Sequence, residues 1–217
     1  MWQTRWLLKP AVFIACLLPA LRLGVGALNA VEAWHVGGIS LGADPVKVML
    51  HTCGRWTLNF LMITLCMTPL RDLTHAVFWL RFRRMFGLFA FFYALLHFTV
   101  YILLDQNGQA SALWQDVIKR PYITLGMLAL LSLIPLAATS TARAQRRLGR
   151  SWTRLHRLVY AIAILGVWHF WWQVKKDIRE PLLYALGLSL LLGYRLWKHR
   201  RSLVRVSVAH LARTDGA

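Results

Sequence analysis

The sequence predicts an all-α, polytopic membrane protein: one domain over residues 1–217, built as a bundle of six transmembrane helices with both termini in the cytoplasm. Three observations predict this. Six apolar runs recur along a chain that is 58% hydrophobic, with a mean hydropathy of +0.48. The charges sit in blocks between those runs instead of being spread evenly. The blocks also alternate in sign, which sets an orientation.

The apolar runs are Ala11 to Val31, Thr52 to Leu70, Phe86 to Leu104, Tyr122 to Ala138, Leu158 to Trp172 and Pro181 to Trp197. A helix needs about 20 such residues to cross a hydrocarbon core of about 30 Å, and the shorter runs extend into amphipathic flanks. A net charge of +18 on 26 basic and 8 acidic residues raises nucleic acid as a partner. The positions of the charges exclude it. Arg5 and Lys9 precede the first run; Arg71, Arg81, Arg83 and Arg84 lie between the second and third. Arg143, Arg146, Arg147, Arg150, Arg154 and Arg157 lie between the fourth and fifth, and Arg195, Lys198, Arg200, Arg201, Arg205 and Arg213 follow or close the sixth. All of these fall on one side of a six-helix weave, whereas Glu32, Asp44, Asp105, Asp116, Asp177 and Glu180 fall on the other. The basic side is therefore cytoplasmic, with membrane lipid as its second partner.

Taken in order, the first helix reads as a retained anchor and not a cleaved signal, because its removal would put the termini on opposite sides. Pro19 is placed to kink it, and Arg22 either snorkels or turns into the bundle. His51 and Arg55 open the second helix at i, i+4 and so share one side of it. Near the outer surface they are candidates to hold cofactor carboxylates such as haem propionates, or else a polar pair at the headgroups. Cys16, Cys53 and Cys66 form no CxxC and read as buried, inert thiols. The outer segment around Asn107-Gly108 is short for a domain, and Trp34, Trp114 and the outer acids are candidates to touch a partner. Thr139 to Thr141 terminate the fourth helix. The tail after Trp197 is basic and short, and no GxGxxG occurs in the chain.

Histidine within a bilayer is a functional suspect by default. His97 lies eleven residues past Phe86, about 16 Å deep at helical rise, and His169 lies eleven past Leu158 on a helix running the same way. Two neutral imidazoles at one depth, among Phe, Tyr and Trp, suit the two axial positions of a haem iron; the alternative is a hydrogen bond from each to a neighbouring helix. His156, thirteen residues before His169, belongs to a layer nearer the cytoplasm. A partner for a second haem there would lie at Arg83 or Arg84, with His75 a weak substitute, so one haem is expected. His156 is then a candidate donor-site residue for a quinone or flavin, a propionate contact, a structural residue or an iron ligand. Arg83, Arg84 and Arg150 are weaker candidates for a flavin phosphate or a propionate. His35, His199 and His210 read as solvated.

The segments LGADPVKVMLHTCGRW, RRMFGLFAFFYALLHFTVY, KRPYITLGM and LGRSWTRLHRLVYAIAILGVWHFWWQVK resemble the haem-binding membrane subunits of bacterial periplasmic protein-methionine-sulfoxide reductase systems, in the ferric reductase-like transmembrane superfamily. The resemblance spans roughly Leu41 to Lys175. It implies six helices in the inner membrane, b-type haem, and electron delivery to a periplasmic molybdopterin-containing reductase that repairs oxidised methionines. It also implies FMN, and the quinone pool or a cytoplasmic flavin reductase as donor. His97, His156 and His169 match the haem-linked positions of that family. Members with two haems carry a fourth histidine and a fused flavin and nucleotide domain; both are missing here, which points to one haem and a separate donor.

Electron transfer is thus expected: electrons enter from the cytoplasmic side, pass a haem held by His97 and His169, and leave to the partner, on which the catalytic reduction occurs. The alternative class is a transporter or assembly factor without haem. A transporter would need a polar path or broken helices at mid-membrane, and an assembly factor has no use for two histidines at matched depth.

Overall fold

The computed structural model describes the backbone of residues 3–31, 39–174 and 177–214, and side chains within 8–30, 39–109, 111–174 and 177–201. Trp34 and His35 lie outside the described residues, as does the side chain of His210. Among the described residues every regular element is helical: α1 (Gln3–Val31), α2 (Pro45–Thr74), α3 (Leu80–Val100), α4 (Ala110–Lys119), α5 (Pro121–Ala138), α6 (Ala142–Leu148), α7 (Arg150–His156), α8 (Leu158–Gln173) and α9 (Arg179–Thr214). A 3-10 turn at Val77–Trp79 leads into α3, and a π-helical turn at Tyr101–Asp105 ends it. Each of the six apolar runs lies within a helix or, for the third, continues from α3 into that π turn.

Three stretches combine the length and apolar composition needed to cross a membrane: Leu8–Ala30, Val77–Asp105 and Pro121–Ala138. The other runs differ for local reasons. α2 carries His51, Arg55 and Asn59, and α8 has only 16 residues, because the chain turns at Arg157 between α7 and α8. The connections hold more helix than the sequence predicts. The outer segment folds into the short amphipathic α4, and Thr141 caps α6 by accepting from the Ala144 N–H at 3.1 Å.

The helices pack as two antiparallel pairs, α2 with α3 and α5 with α8, around Leu61, Leu65, Phe60, Tyr93, Ile162 and Ala163, which are almost fully buried. α1 flanks the first pair. Proline at position 19 brings no N–H and disfavours the turn before it, and the ladder opens there. The Tyr93 hydroxyl fills the gap, donating to the Cys16 carbonyl at 2.8 Å and accepting from the Ala20 N–H at 3.0 Å, the two groups an unbroken helix would join directly. α1 therefore runs on through Pro19. α9 leans on α2: Arg195 donates to the Leu65 carbonyl at 2.8 Å and to the Tyr160 hydroxyl at 2.6 Å, and Tyr194, Arg71 and Lys198 all converge on Asp72.

Candidate functional site

At the end of the bundle where α2 and α5 begin and α8 finishes, the two helix pairs part to leave a cavity of about 480 Å³, within the size range of small-molecule sites. Leu58, Leu61, Ala94, Leu130, Leu133 and Ile162 supply apolar wall; His97 and His169 face each other across it. Their ring centres are 6.3 Å apart and their planes stand at 84°.

The hydrogen bonds fix which nitrogen of each ring remains free. His97 Nδ1 lies 2.9 Å from the Leu50 carbonyl of α2, and His169 Nδ1 lies 2.6 Å from the Tyr122 carbonyl of α5. A carbonyl only accepts, so both Nδ1 atoms carry the proton and both Nε2 atoms keep a lone pair. Neither Nε2 has a hydrogen-bond partner among the described residues. This is the arrangement seen around ligating imidazoles, where the second nitrogen is anchored and the first is left for the metal. A metal bonded at about 2 Å to both Nε2 atoms would hold the ring centres about 6 Å apart, and the observed separation of 6.3 Å agrees with that.

The mouth of the cavity is polar and of mixed charge, with Asp44 and Asp105 on its lining beside the basic groups. His51 and Arg55 both line it, as their i, i+4 spacing predicts, and Lys47 and Arg120 line it with them. Arg55 pairs with Glu180 at 3.2 Å and Arg120 with Asp116 at 3.3 Å. Lys47 shares the face of His51 at i, i+4 and was open to the same sequence argument. Arg120 was not, since only the packing of α5 against α8 brings it to the mouth.

Other candidates lie elsewhere. His156 sits at the arginine-rich end, stacked on Trp152 with ring centres 3.9 Å apart. Its Nδ1 reaches the Trp152 carbonyl at 3.1 Å, while its Nε2 is buried and makes no well-formed hydrogen bond among the described residues. The Leu136 carbonyl lies close to this imidazole and also accepts from the Ser140 hydroxyl at 2.7 Å. Arg83 is half-buried beside His156, Tyr160 and Arg195. Arg84 and Arg150 are exposed, and none of these three arginines lines the cavity. His75 is an exposed C-cap of α2 in the left-handed conformation, and Arg22 is exposed on α1. Cys16, Cys53 and Cys66 are free thiols, the first two buried.

Fold and site together define an all-helical membrane protein with a cavity walled by two carbonyl-anchored histidines. Residues 53–167 match the family described as ferric reductase like transmembrane component. Three relatives, each named protein-methionine-sulfoxide reductase heme-binding subunit MsrQ, come from Xanthomonas euvesicatoria pv. vesicatoria, Xanthomonas campestris pv. campestris and Rhodospirillum rubrum. The first is 51% identical over 88% of this chain and 86% of its own length, the second 51% over 94% and 92%, and the third 51% over 86% of each. The chain belongs to the ferric reductase-like transmembrane family and, within it, to the MsrQ proteins. No solved structure matches it.

Proposed function

We propose that this protein is the haem-containing electron-transfer subunit of a methionine sulfoxide reductase system, with one b-type haem held between His97 and His169. The observation that carries the reading is the pair itself: two imidazoles 6.3 Å apart, each anchored through Nδ1, with both Nε2 atoms free. Haem bound there supplies one-electron chemistry between the ferric and ferrous states. The residues do the rest. Each backbone carbonyl fixes a tautomer and makes its Nε2 a better donor. The aliphatic wall would shield a bound haem from water and lower the dielectric around it. Lys47, His51, Arg55 and Arg120 face the end where haem carboxylates would emerge, which supports propionate contacts from His51 and Arg55.

In this reading all six long helices cross the bacterial inner membrane and both termini are cytoplasmic, as the charge segregation supports. The cavity then opens toward the periplasm, and the acceptor is a molybdopterin-containing methionine sulfoxide reductase that docks there. Reductant arrives at the arginine-rich end as quinol or as reduced flavin, FMN being the flavin the family resemblance implies. His156 and Arg83 are the donor-site residues of the proposal. The support is a buried imidazole whose Nε2 makes no well-formed hydrogen bond among the described residues, beside a half-buried guanidinium, at that end of the bundle.

The test is the dithionite-reduced minus oxidised visible spectrum of the detergent-purified protein, with haem quantified per chain. A sharp low-spin b-type signal near one haem per chain is expected, abolished in His97→Ala and in His169→Ala. Absence of haem after expression with ample haem supply, or full retention in both variants, overturns the reading.

A further inference from the structure

The two histidine anchors are built alike, and in each a glycine lies against the imidazole. The separation from His97 to its acceptor Leu50 is 47 residues, and that from His169 to its acceptor Tyr122 is also 47. One helical turn beyond each acceptor, four residues on, stands a glycine: Gly54 on α2 and Gly126 on α5. The coincidence has a steric cause. A helical carbonyl points toward the residue four positions later, and the side chain of that residue leans back over the turn before it. A side chain at position 54 or 126 would therefore stand where the imidazole must approach.

The distances bear this out strictly at Gly126 and show a close but ordinary contact at Gly54. A Cβ on Gly126 would lie 2.9 Å from both Cε1 and Nδ1 of His169, closer than carbon and nitrogen tolerate, and one on Gly54 would lie 3.4 Å from His97 Nδ1. Gly26 and Gly166 are also close-packed, a Cβ there meeting Leu41 at 2.8 Å and Leu58 at 3.0 Å, but those neighbours are flexible aliphatic side chains; at Gly54 and Gly126 the neighbour is an imidazole. On the same helices and their neighbours, a Cβ at Gly87 would meet only a Thr64 methyl at 3.9 Å, and at Gly187 and Gly193 it would meet nothing within 4 Å. Small residues at membrane-helix contacts commonly serve to bring backbones together. Here the atom they admit is an imidazole.

We propose, on the footing of the haem reading above, that Gly54 and Gly126 are positioning residues that seat the two ligand imidazoles in a twofold-repeated Leu50–Gly54–His97 and Tyr122–Gly126–His169 arrangement. The two seats differ in tightness. His169 has the shorter anchor and no spare room, so it is the clamped ligand. His97 sits one ordinary van der Waals contact clear of its glycine and has latitude to adjust.

The experiment compares the purified wild-type protein with Gly126→Ala, Gly54→Ala and Gly187→Ala, each checked for helical content and monodispersity, by visible spectrum and midpoint potential. Gly126→Ala must push the His169 ring off its carbonyl: the expected result is loss of most of the low-spin signal to a high-spin form, which free imidazole added to the solution converts back. Gly54→Ala is expected to stay low-spin with a small shift in potential, and Gly187→Ala to match wild type. A Gly126→Ala protein with wild-type spectrum and potential overturns the inference. If Gly126→Ala fails to accumulate, Gly54→Leu takes its place, because the larger side chain reaches His97; it must give the same imidazole-reversible high-spin form, and a wild-type spectrum there overturns the inference equally. A wild-type protein without haem would instead sink the underlying reading, so the two failures are distinct.

Discussion

The imidazole planes of His97 and His169 cross at 84°, with both rings held by backbone carbonyls on different helices. Each plane is set by its own anchor, so the crossing angle is a property of the protein and not of whatever lies between the rings.

That angle has a spectroscopic consequence. Parallel imidazoles interact with one of two iron d orbitals and split the pair, whereas crossed imidazoles act on both and leave them nearly equal in energy. Axial-ligand arrangement is one of the levers by which a protein tunes haem. The ferric protein is therefore expected to give a low-spin EPR signal of very large anisotropy, displaced to low field, in place of the rhombic signal of a parallel pair. A rhombic spectrum would show that the rings turn when iron is bound and that the carbonyl anchors do not fix them.

A second prediction concerns α1. Tyr93 is fully buried, and its hydroxyl spans the opened Cys16–Ala20 step beside Pro19. Tyr93→Phe keeps the ring but leaves a carbonyl and an N–H without their bridge in an apolar setting. Such a loss costs about 1–2 kcal/mol. The melting temperature in detergent should fall accordingly. In a Pro19→Ala background, where Ala20 can bond Cys16 directly, Tyr93→Phe should cost much less; an equal cost in both backgrounds would mean that the bridge is not what Tyr93 contributes.

These relationships show where sequence reasoning reaches and where it stops. His97 and His169 were legible because imidazole is expensive in a bilayer and two at one depth need a common reason. His51 and Arg55 were legible because helical spacing puts them on one side. Leu50 and Tyr122 were not, since what they contribute is a carbonyl, which every residue has. Arg84 and Arg150 looked like Arg83 as charges, and only the helix register turns the first two outward and the third inward. The helix breaks at Arg157 and at Tyr101–Asp105 were equally hidden, because both segments continue an apolar, helix-compatible pattern. Tertiary packing decides such breaks, not propensity.

A third prediction uses Asp72, the acid that ties α2 to α9 at the arginine-rich end. Lys198, Arg71 and Tyr194 all donate to it, and the first two hold its carboxyl far below the usual range. A group whose pKa is lowered by folding stabilises the native state above its unfolded pKa, about 4 for aspartate, and loses that contribution as pH falls below it. Thermal stability should therefore decline between about pH 4 and lower pH in the wild-type protein. In Asp72→Asn the baseline should be lower at neutral pH and the acid-side decline shallower. Identical acid-side profiles would show that Asp72 does not supply the dependence.

The last prediction concerns the charges at the cavity mouth. Arg120 lines the mouth and pairs with Asp116, which also accepts from the Tyr101 hydroxyl at 2.6 Å. Positive charge near a haem disfavours the ferric state, whose extra charge it opposes, and so raises the potential. Arg120→Gln removes that charge and leaves Asp116 uncompensated, and both changes act in one direction. The midpoint potential should drop, on the order of tens of millivolts given the partly exposed setting. Asp116→Asn should move it the opposite way, because the arginine then stands alone. The pair of signs is the decisive feature: a generally loosened site would shift both variants the same way, whereas an electrostatic role for the mouth requires them to diverge and the divergence to shrink as salt is raised.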